Sequence, residues 1–134
     1  MKINKDRILV VEDDEATLQA IAFKLKKEGF EVIQAGDGDE GIIKLKTKGP
    51  INGILLDLRM PKGDGFKFLE EKAKDPKISG VPVIIFTNLS QRDIIDRALG
   101  LGIKGYLVKA HHSAQEIVEE LHQCLHKGKC TIDK

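Results

Sequence analysis

Tryptophan is missing from this 134-residue sequence, tyrosine occurs once and cysteine twice. Cys124 and Cys130 are too few for the disulfide framework that holds small secreted domains together. Aromatic residues make up 4% and apolar residues 41%, so a core here must be largely aliphatic. No apolar run approaches the ~20 residues that cross a bilayer. The first residues, Met1-Lys2-Ile3-Asn4-Lys5-Asp6-Arg7, are polar and lead into no apolar signal region. Charge of one sign is lacking too. With 22 basic and 21 acidic residues the net charge is +1, which gives no field to attract nucleic acid or an anionic membrane. These absences lead us to expect a cytoplasmic protein with no membrane partner and no direct nucleic-acid partner.

What is present suits a folded chain: 32% charged residues interleaved with short aliphatic runs. The length fits one domain. We expect a single unit over 1–134, with its core at about 7–126 and a short polar tail at 128–134. Near that tail His122-x-Cys124-x-His126 offers metal-ligating types. On a helix, however, the two histidines would share a face and Cys124 would point elsewhere. An ordinary helix end with incidental ligand types is the preferred expectation.

Short apolar runs alternate five times with helical patterns. Strands are predicted at Arg7–Val11, Glu31–Ala35, Gly53–Leu56, Val83–Thr87 and Gly105–Val108, each rich in Val, Ile or Leu and bounded by turn residues. In the first helical segment Leu18, Ile21, Ala22 and Leu25 recur at three- and four-residue spacing, with Gly29 as stop. A second runs from about Asp39 to Thr47, a third from near Asp64 to before Asp75-Pro76. The fourth starts near Ser90, with Ile94, Ile95, Ala98 and Leu99 inward. In the fifth, Ser113 and Glu116 form a capping-box pattern ahead of the stripe Ile117, Val118, Leu121 and Leu125. This order predicts an α/β fold: a five-stranded parallel sheet, doubly wound, with helices on both faces as a three-layer sandwich.

The chemistry gathers where strands end. Glu12-Asp13-Asp14 follow the first strand, and Asp57 follows the third. Carboxyl ends of parallel strands are where open α/β sheets bind ligands. Several carboxylates there repel one another unless neutralised, and the usual remedy is a hard divalent cation such as Mg2+ with oxygen ligands. A carboxylate beside such a metal can act as a nucleophile toward a phosphoryl group. Thr87 ends the fourth strand and Lys109 follows the fifth, adding a hydroxyl and a cation at the same edge. Asp14 and Glu15 read as first-turn acids suited to a helix dipole. Gly63 and Gly65 read as turn residues, Lys62 as a surface group, and His111 and His112 as solvated loop residues.

The motifs Val10-Val11-Glu12-Asp13, Leu56-Asp57-Leu58-Arg59-Met60-Pro61, Gly63-Asp64-Gly65, Phe86-Thr87-Asn88 and Tyr106-Leu107-Val108-Lys109 agree in order and spacing. On them the chain resembles the receiver domains of two-component response regulators, from Arg7 to His126. The resemblance implies a (βα)5 flavodoxin-like fold and a phosphoprotein switch that is a signalling domain rather than an enzyme. Its only catalysis would be self-phosphorylation from small donors and slow self-dephosphorylation. Asp57 would be the phosphoacceptor. Glu12, Asp13, Asp57 and the backbone carbonyl of Arg59 would hold Mg2+. Thr87 and Lys109 would contact the phosphoryl group, and Tyr106 would be the switch aromatic, remodelling the face made by the fourth helix, fifth strand and fifth helix. A histidine kinase or phosphotransfer protein and a downstream effector protein would be the partners of a stand-alone receiver.

Two positions depart from that pattern. Ala110 follows Lys109 where the family places a cis-bonded proline, and a trans bond is expected because a cis bond to a non-proline residue costs ~2.5–4 kcal/mol. Asn88 stands where a small residue is preferred, and Leu89 offers nothing to orient an attacking water. Two alternatives follow from the same residues. A haloacid-dehalogenase-like phosphatase would want a second aspartate where Arg59 stands. A receiver-like scaffold could work without phosphorylation, with Lys109-Ala110 as the clue.

Overall fold

The computed structural model describes residues 6–60 and 64–133. Pro61, Lys62 and Gly63, three of the residues read above, lie outside them. Five strands, β1 (Arg7–Val11), β2 (Glu31–Ala35), β3 (Gly53–Leu56), β4 (Val83–Thr87) and β5 (Gly105–Val108), form one parallel sheet in the order β2-β1-β3-β4-β5. The helices between and after them are α1 (Glu15–Lys27), α2 (Gly38–Thr47), α3 (Gly65–Lys74), α4 (Arg92–Gly100) and α5 (Ala114–Lys127). Among the described residues no helix is long and apolar enough to cross a membrane.

Successive strand residues point to opposite faces, and the sequence loads both faces. Ile8, Val10, Leu55, Ile84, Phe86 and Leu107 pack under Leu18, Ile21 and Leu25 of α1 and Ile117, Val118 and Leu121 of α5. Leu9, Val11, Ile54, Leu56, Ile85 and Val108 pack under Ile42, Phe68, Leu69, Ile95 and Ala98 of α2, α3 and α4. This is why the strand runs read as continuously apolar rather than alternating. Burying one leucine-sized side chain contributes roughly 1.5–3 kcal/mol, so the two layers together dominate the fold's stability.

Local signals set the helix ends. Asp14, Asp37 and Asp64 each accept a backbone N–H of the first turn, from Thr17, Glu40 and Lys67. Ser113 and Glu116 form the expected capping box. Two inward assignments need correction. Leu99 is 38% exposed, because the short α4 turns only Ile95 and Ala98 fully inward. Leu125 is half-buried, and Cys124 takes the fully buried place on α5.

Candidate functional site

Parallel pairing in register delivers the strand ends to one edge. Val11 pairs with Leu56, so Glu12 and Asp57 leave the sheet side by side. Thr87 pairs with Val108, so Asn88 and Lys109 do the same, two residues farther along because Leu56 pairs with Ile85. The chain reverses direction of winding between β1 and β3, which is where such sheets open a crevice. Backbone bonds continue past the strands to fix the acids: Glu12 N–H donates to Ala35 O and Asp57 N–H to Val11 O, both at 3.0 Å. Opposite Asp57 the first residue of α3 must be small. A Cβ on Gly65 would come within 2.6 Å of Leu58 Cα and 2.7 Å of the Asp57 carbonyl oxygen.

Glu12 and Asp57 are buried, while Asp13 is exposed. One carboxylate oxygen of each lies within 4.8 Å of the others, the one cluster of three or more metal-ligating side chains among the described residues. Asp57 Oδ1 accepts the Arg59 N–H at 3.2 Å, and Glu12 accepts the Asp14 N–H at 3.1 Å. The Arg59 side chain itself is exposed. Lys109 reaches in from the far side: its ammonium donates to Glu12 and, at 3.2 Å, to Asp57 Oδ2. It also lies 5.1 Å from the centroid of the Phe86 ring.

Burial raises the pKa of Glu12, opposed by the Lys109 and Asp14 hydrogen bonds and reinforced by the charge of Asp57. Burial pulls Lys109 downward, but the Glu12 and Asp57 carboxylates outweigh it and its pKa is raised. Lys109 is therefore a cation paired with two of the three clustered carboxylates, Glu12 and Asp57, which leaves negative charge unbalanced. An all-oxygen donor set with excess negative charge suits a hard divalent cation, so the residues present fit Mg2+.

Thr87 is fully buried at the end of β4, and its Oγ1 accepts the Leu89 N–H at 3.4 Å. Tyr106 is also fully buried, with its hydroxyl donating to the Leu89 carbonyl at 2.6 Å. Burial, helped by the charge of Asp57, pushes its pKa up to about 12. The structure thus groups Glu12, Asp13, Asp57 and Lys109 directly and joins Thr87 to Tyr106 through Leu89. The ring of Tyr106 points inward.

The Lys109–Ala110 bond is trans, and Lys109–His111 form a 3-10 turn. Ala110 N–H donates to Asn88 Oδ1 at 2.9 Å. A proline at 110 would have no N–H to give, so the two departures noted in the sequence are the two ends of one hydrogen bond. An amide acceptor ending one strand and a non-proline donor just past its neighbour is the signal that could have found it.

Two expectations fail. His112 is no solvated loop residue: it is half-buried, with Nε2 2.7 Å from Asp133 Oδ2. Cys124 and Cys130, read as incidental, form a disulfide, which removes Cys124 as a metal ligand. His126 instead pairs with Asp6 at 2.6 Å, and its ring centroid lies 4.7 Å from that of His122.

Known proteins resemble this chain over most of its length. Residues 8–122 match the response regulator receiver domain family. The probable transcriptional regulator ycf27 of Cyanophora paradoxa is 38% identical over 81% of this chain and 44% of its own length. The chemotaxis protein CheV3 of Helicobacter pylori is 30% identical over 90% of this chain and 41% of its own. The chain thus spans about half the length of the curated relatives it matches. Among solved structures, a CheY-like receiver domain protein of Methanospirillum hungatei JF-1 superposes with a TM-score of 0.83 at 27% identity, covering 92% of this chain and 96% of that one. The phosphorylated cyanobacterial phytochrome response regulator RcpA gives 0.82 at 25% identity, covering 94% and 97%. On the match over 8–122, and with the five-stranded fold to carry it, this chain belongs to the response regulator receiver domain family of two-component signalling, whose general role is that of a phosphorylation switch.

Proposed function

We propose that Asp57 accepts a phosphoryl group from a histidine kinase or phosphotransfer protein, and that the product is a changed binding surface rather than a released chemical. The observation that carries this is the constellation itself. Asp57 is buried at a strand end, with Lys109 at 3.2 Å and two further carboxylates within 4.8 Å. A carboxylate oxygen of Asp57 attacks phosphorus, an acyl phosphate forms, and the bond from phosphorus to the donor breaks. Lys109 then exchanges its bond to the carboxylate for one to the transferred phosphoryl oxygens. The Thr87 hydroxyl, freed from Leu89 N–H, donates to another of those oxygens. Glu12, Asp13, Asp57 and the Arg59 carbonyl would hold Mg2+. When bound, that ion supplies positive charge against the developing negative charge of the phosphoryl group.

The output runs through Leu89. Thr87 accepts from its N–H and Tyr106 donates to its carbonyl, so a movement of Thr87 toward the phosphoryl group tugs the segment that holds the Tyr106 ring. That would shift the population between two packings of the α4-β5-α5 face, which an effector protein reads. Leu89 brings no polar side chain to orient water, which favours slow self-dephosphorylation. The scaffold reading loses its clue, since Lys109 still reaches Asp57 with a trans bond behind it.

The test is acetyl phosphate with Mg2+, read by intact mass and by NMR. One phosphoryl group is expected on the wild type, with shifts at Thr87, Leu89 and Tyr106, and none on Asp57→Ala. Equal labelling of Asp57→Ala would sink the assignment.

A further inference from the structure

β5 is the last strand of the sheet, and an edge strand leaves every second N–H and C=O without a ladder partner. Here the chain beyond α5 returns to fill that edge. It turns at Gly128, whose φ of 67° is left-handed, and Ile132 pairs with Tyr106 in a parallel bridge. Tyr106 N–H donates to Thr131 O at 2.9 Å, and Asp133 N–H donates to Tyr106 O at 2.8 Å. The Asp133 carboxylate takes the next free amide, accepting Val108 N–H at 2.8 Å, and meets His112 Nε2 at 2.7 Å. Thr131 bonds Glu120 of α5, and Ile132 packs on the apolar layer that contains Tyr106 and Val108. Even β5 leaves room for the visitor: a Cβ on Gly105 would sit 3.3 Å from the Thr131 carbonyl oxygen. The covalent fastening is the Cys124–Cys130 disulfide, three residues before Asp133.

We propose that residues 129–133 are a thiol-controlled strap. The disulfide holds the segment on the outer edge of β5, and reduction by a dithiol releases it, baring that edge and removing the grip on the Tyr106 backbone. The noncovalent contacts at that edge come from three residues alone, Thr131, Ile132 and Asp133, all half-buried, and a segment that short can open locally without unfolding the sheet. With the bond closed, Cys130 is pinned to α5 and only a short segment has to find β5. With it open, the whole stretch from Gly128 must pay the closure entropy of a longer free chain.

The chemistry balances. A thiolate of the reductant attacks Cys130 Sγ, which is more exposed than the buried Cys124. The S–S bond breaks and Cys124 Sγ leaves with the electron pair and takes up a proton. The second thiol of the reductant then displaces Cys130, giving two protein thiols and one oxidised dithiol. Tyr106 is held at two points, by its hydroxyl on Leu89 and by its backbone on the strap. Only the bearing of the strap on signalling rests on the role proposed above for Tyr106. The strap itself does not depend on Asp57.

Backbone amide exchange followed by NMR on the full chain, with no phosphodonor and no divalent cation, separates the two. In the oxidised protein the Tyr106 and Val108 amides should exchange slowly. A dithiol, or the pair Cys124→Ser and Cys130→Ser, should speed both by roughly tenfold or more while Ile84 and Ile85 of β4 stay unchanged. Asp133→Ala should speed Val108 with the disulfide intact. Equal exchange at Tyr106 in oxidised and reduced wild type would overturn the proposal, as would two free thiols in protein kept from reductant. Because the oxidised and reduced wild type are compared directly, the result stands even if the serine variants fold poorly.

Discussion

Glu12 and Asp57 leave strands that have a neighbour on each side, whereas Lys109 leaves an edge strand whose outer neighbour is a returning segment. On the first side the ladder continues past the strand ends, through the amides of Glu12 and Asp57. On the second, a 3-10 turn follows at once, tied down by Asn88, and the edge is held by Thr131, Ile132 and Asp133. The acids are thus placed by buried sheet, and their counter-charge by half-exposed side-chain contacts that open more easily. That asymmetry suits the switch proposed above, in which one half would hold Asp57 still while the other took a second arrangement.

The largest effect should come from removing the one charge that crosses between the halves. Lys109→Ala leaves Glu12 and Asp57 buried without their cation, and breaking such a pair from one side costs about 3 kcal/mol. Urea unfolding in divalent-free buffer would show it, and Mg2+ should restore part of the loss by binding the folded state. A variant as stable as wild type would mean that the fixed half does not lean on the movable one.

Gly65→Ala strikes only the fixed half. The added methyl would meet Leu58 and the Asp57 carbonyl at 2.6 and 2.7 Å, and both neighbours are backbone. Overpacking of this kind costs about 2 kcal/mol. Thermal melts should show the loss, and the NMR signal of the Asp57 amide should move. A silent substitution would show that the β3–α3 corner yields more readily than its ladder bonds suggest.

Tyr106 reports on the movable half alone, because the chain has one tyrosine and no tryptophan. Tyr106→Phe removes the bond to the Leu89 carbonyl and should cost about 1 kcal/mol. The phenol should titrate not near its ordinary value of 10 but near about 12, read by phenolate absorbance. The folded protein keeps a proton that the unfolded chain releases near 10. The contribution of Tyr106 is therefore whole below pH 10 and is lost as the pH rises toward about 12. Urea midpoints of wild type and Tyr106→Phe should converge over that window, and parallel curves would contradict the buried phenol.

The same division explains what could be read from the sequence. The five strands fall at the expected residues because each is a short aliphatic run between turn formers, and buried parallel strands are that pattern. Glu12, Asp13, Asp57, Thr87 and Lys109 inherit their places from the strand ends. Helix starts marked by a capping aspartate or serine were legible. The start of α4 was less sharply marked: it is expected near Ser90 and falls at Arg92, because Gln91 at the cap position makes no side-chain bond. The strap, the His112–Asp133 contact and the Asn88–Ala110 bond join residues that are far apart in the chain and carry no periodicity. Two cysteines six residues apart across a helix end were the one local trace of the strap, and that spacing alone fits an incidental pair equally well.

The smallest expected effect is the most pointed test of the movable half. Asn88→Ala leaves the Ala110 N–H to water at an exposed position, which should cost no more than about 0.5 kcal/mol. Ala110→Pro removes the donor itself and leaves the Asn88 carbonyl to water. If the bond only decorates the surface, Asn88→Ala should behave as wild type, and Ala110→Pro should show only the restraint that a proline puts on the Lys109 backbone. If it sets where the turn carries Lys109, both should shift the Lys109 side-chain signals and change the rate of labelling by acetyl phosphate in the same direction. The double variant should then change them no further, since each single change already breaks the same bond. Additive effects would instead mean that Asn88 and Ala110 act separately, and that the turn is placed by Lys109 reaching for its two carboxylates.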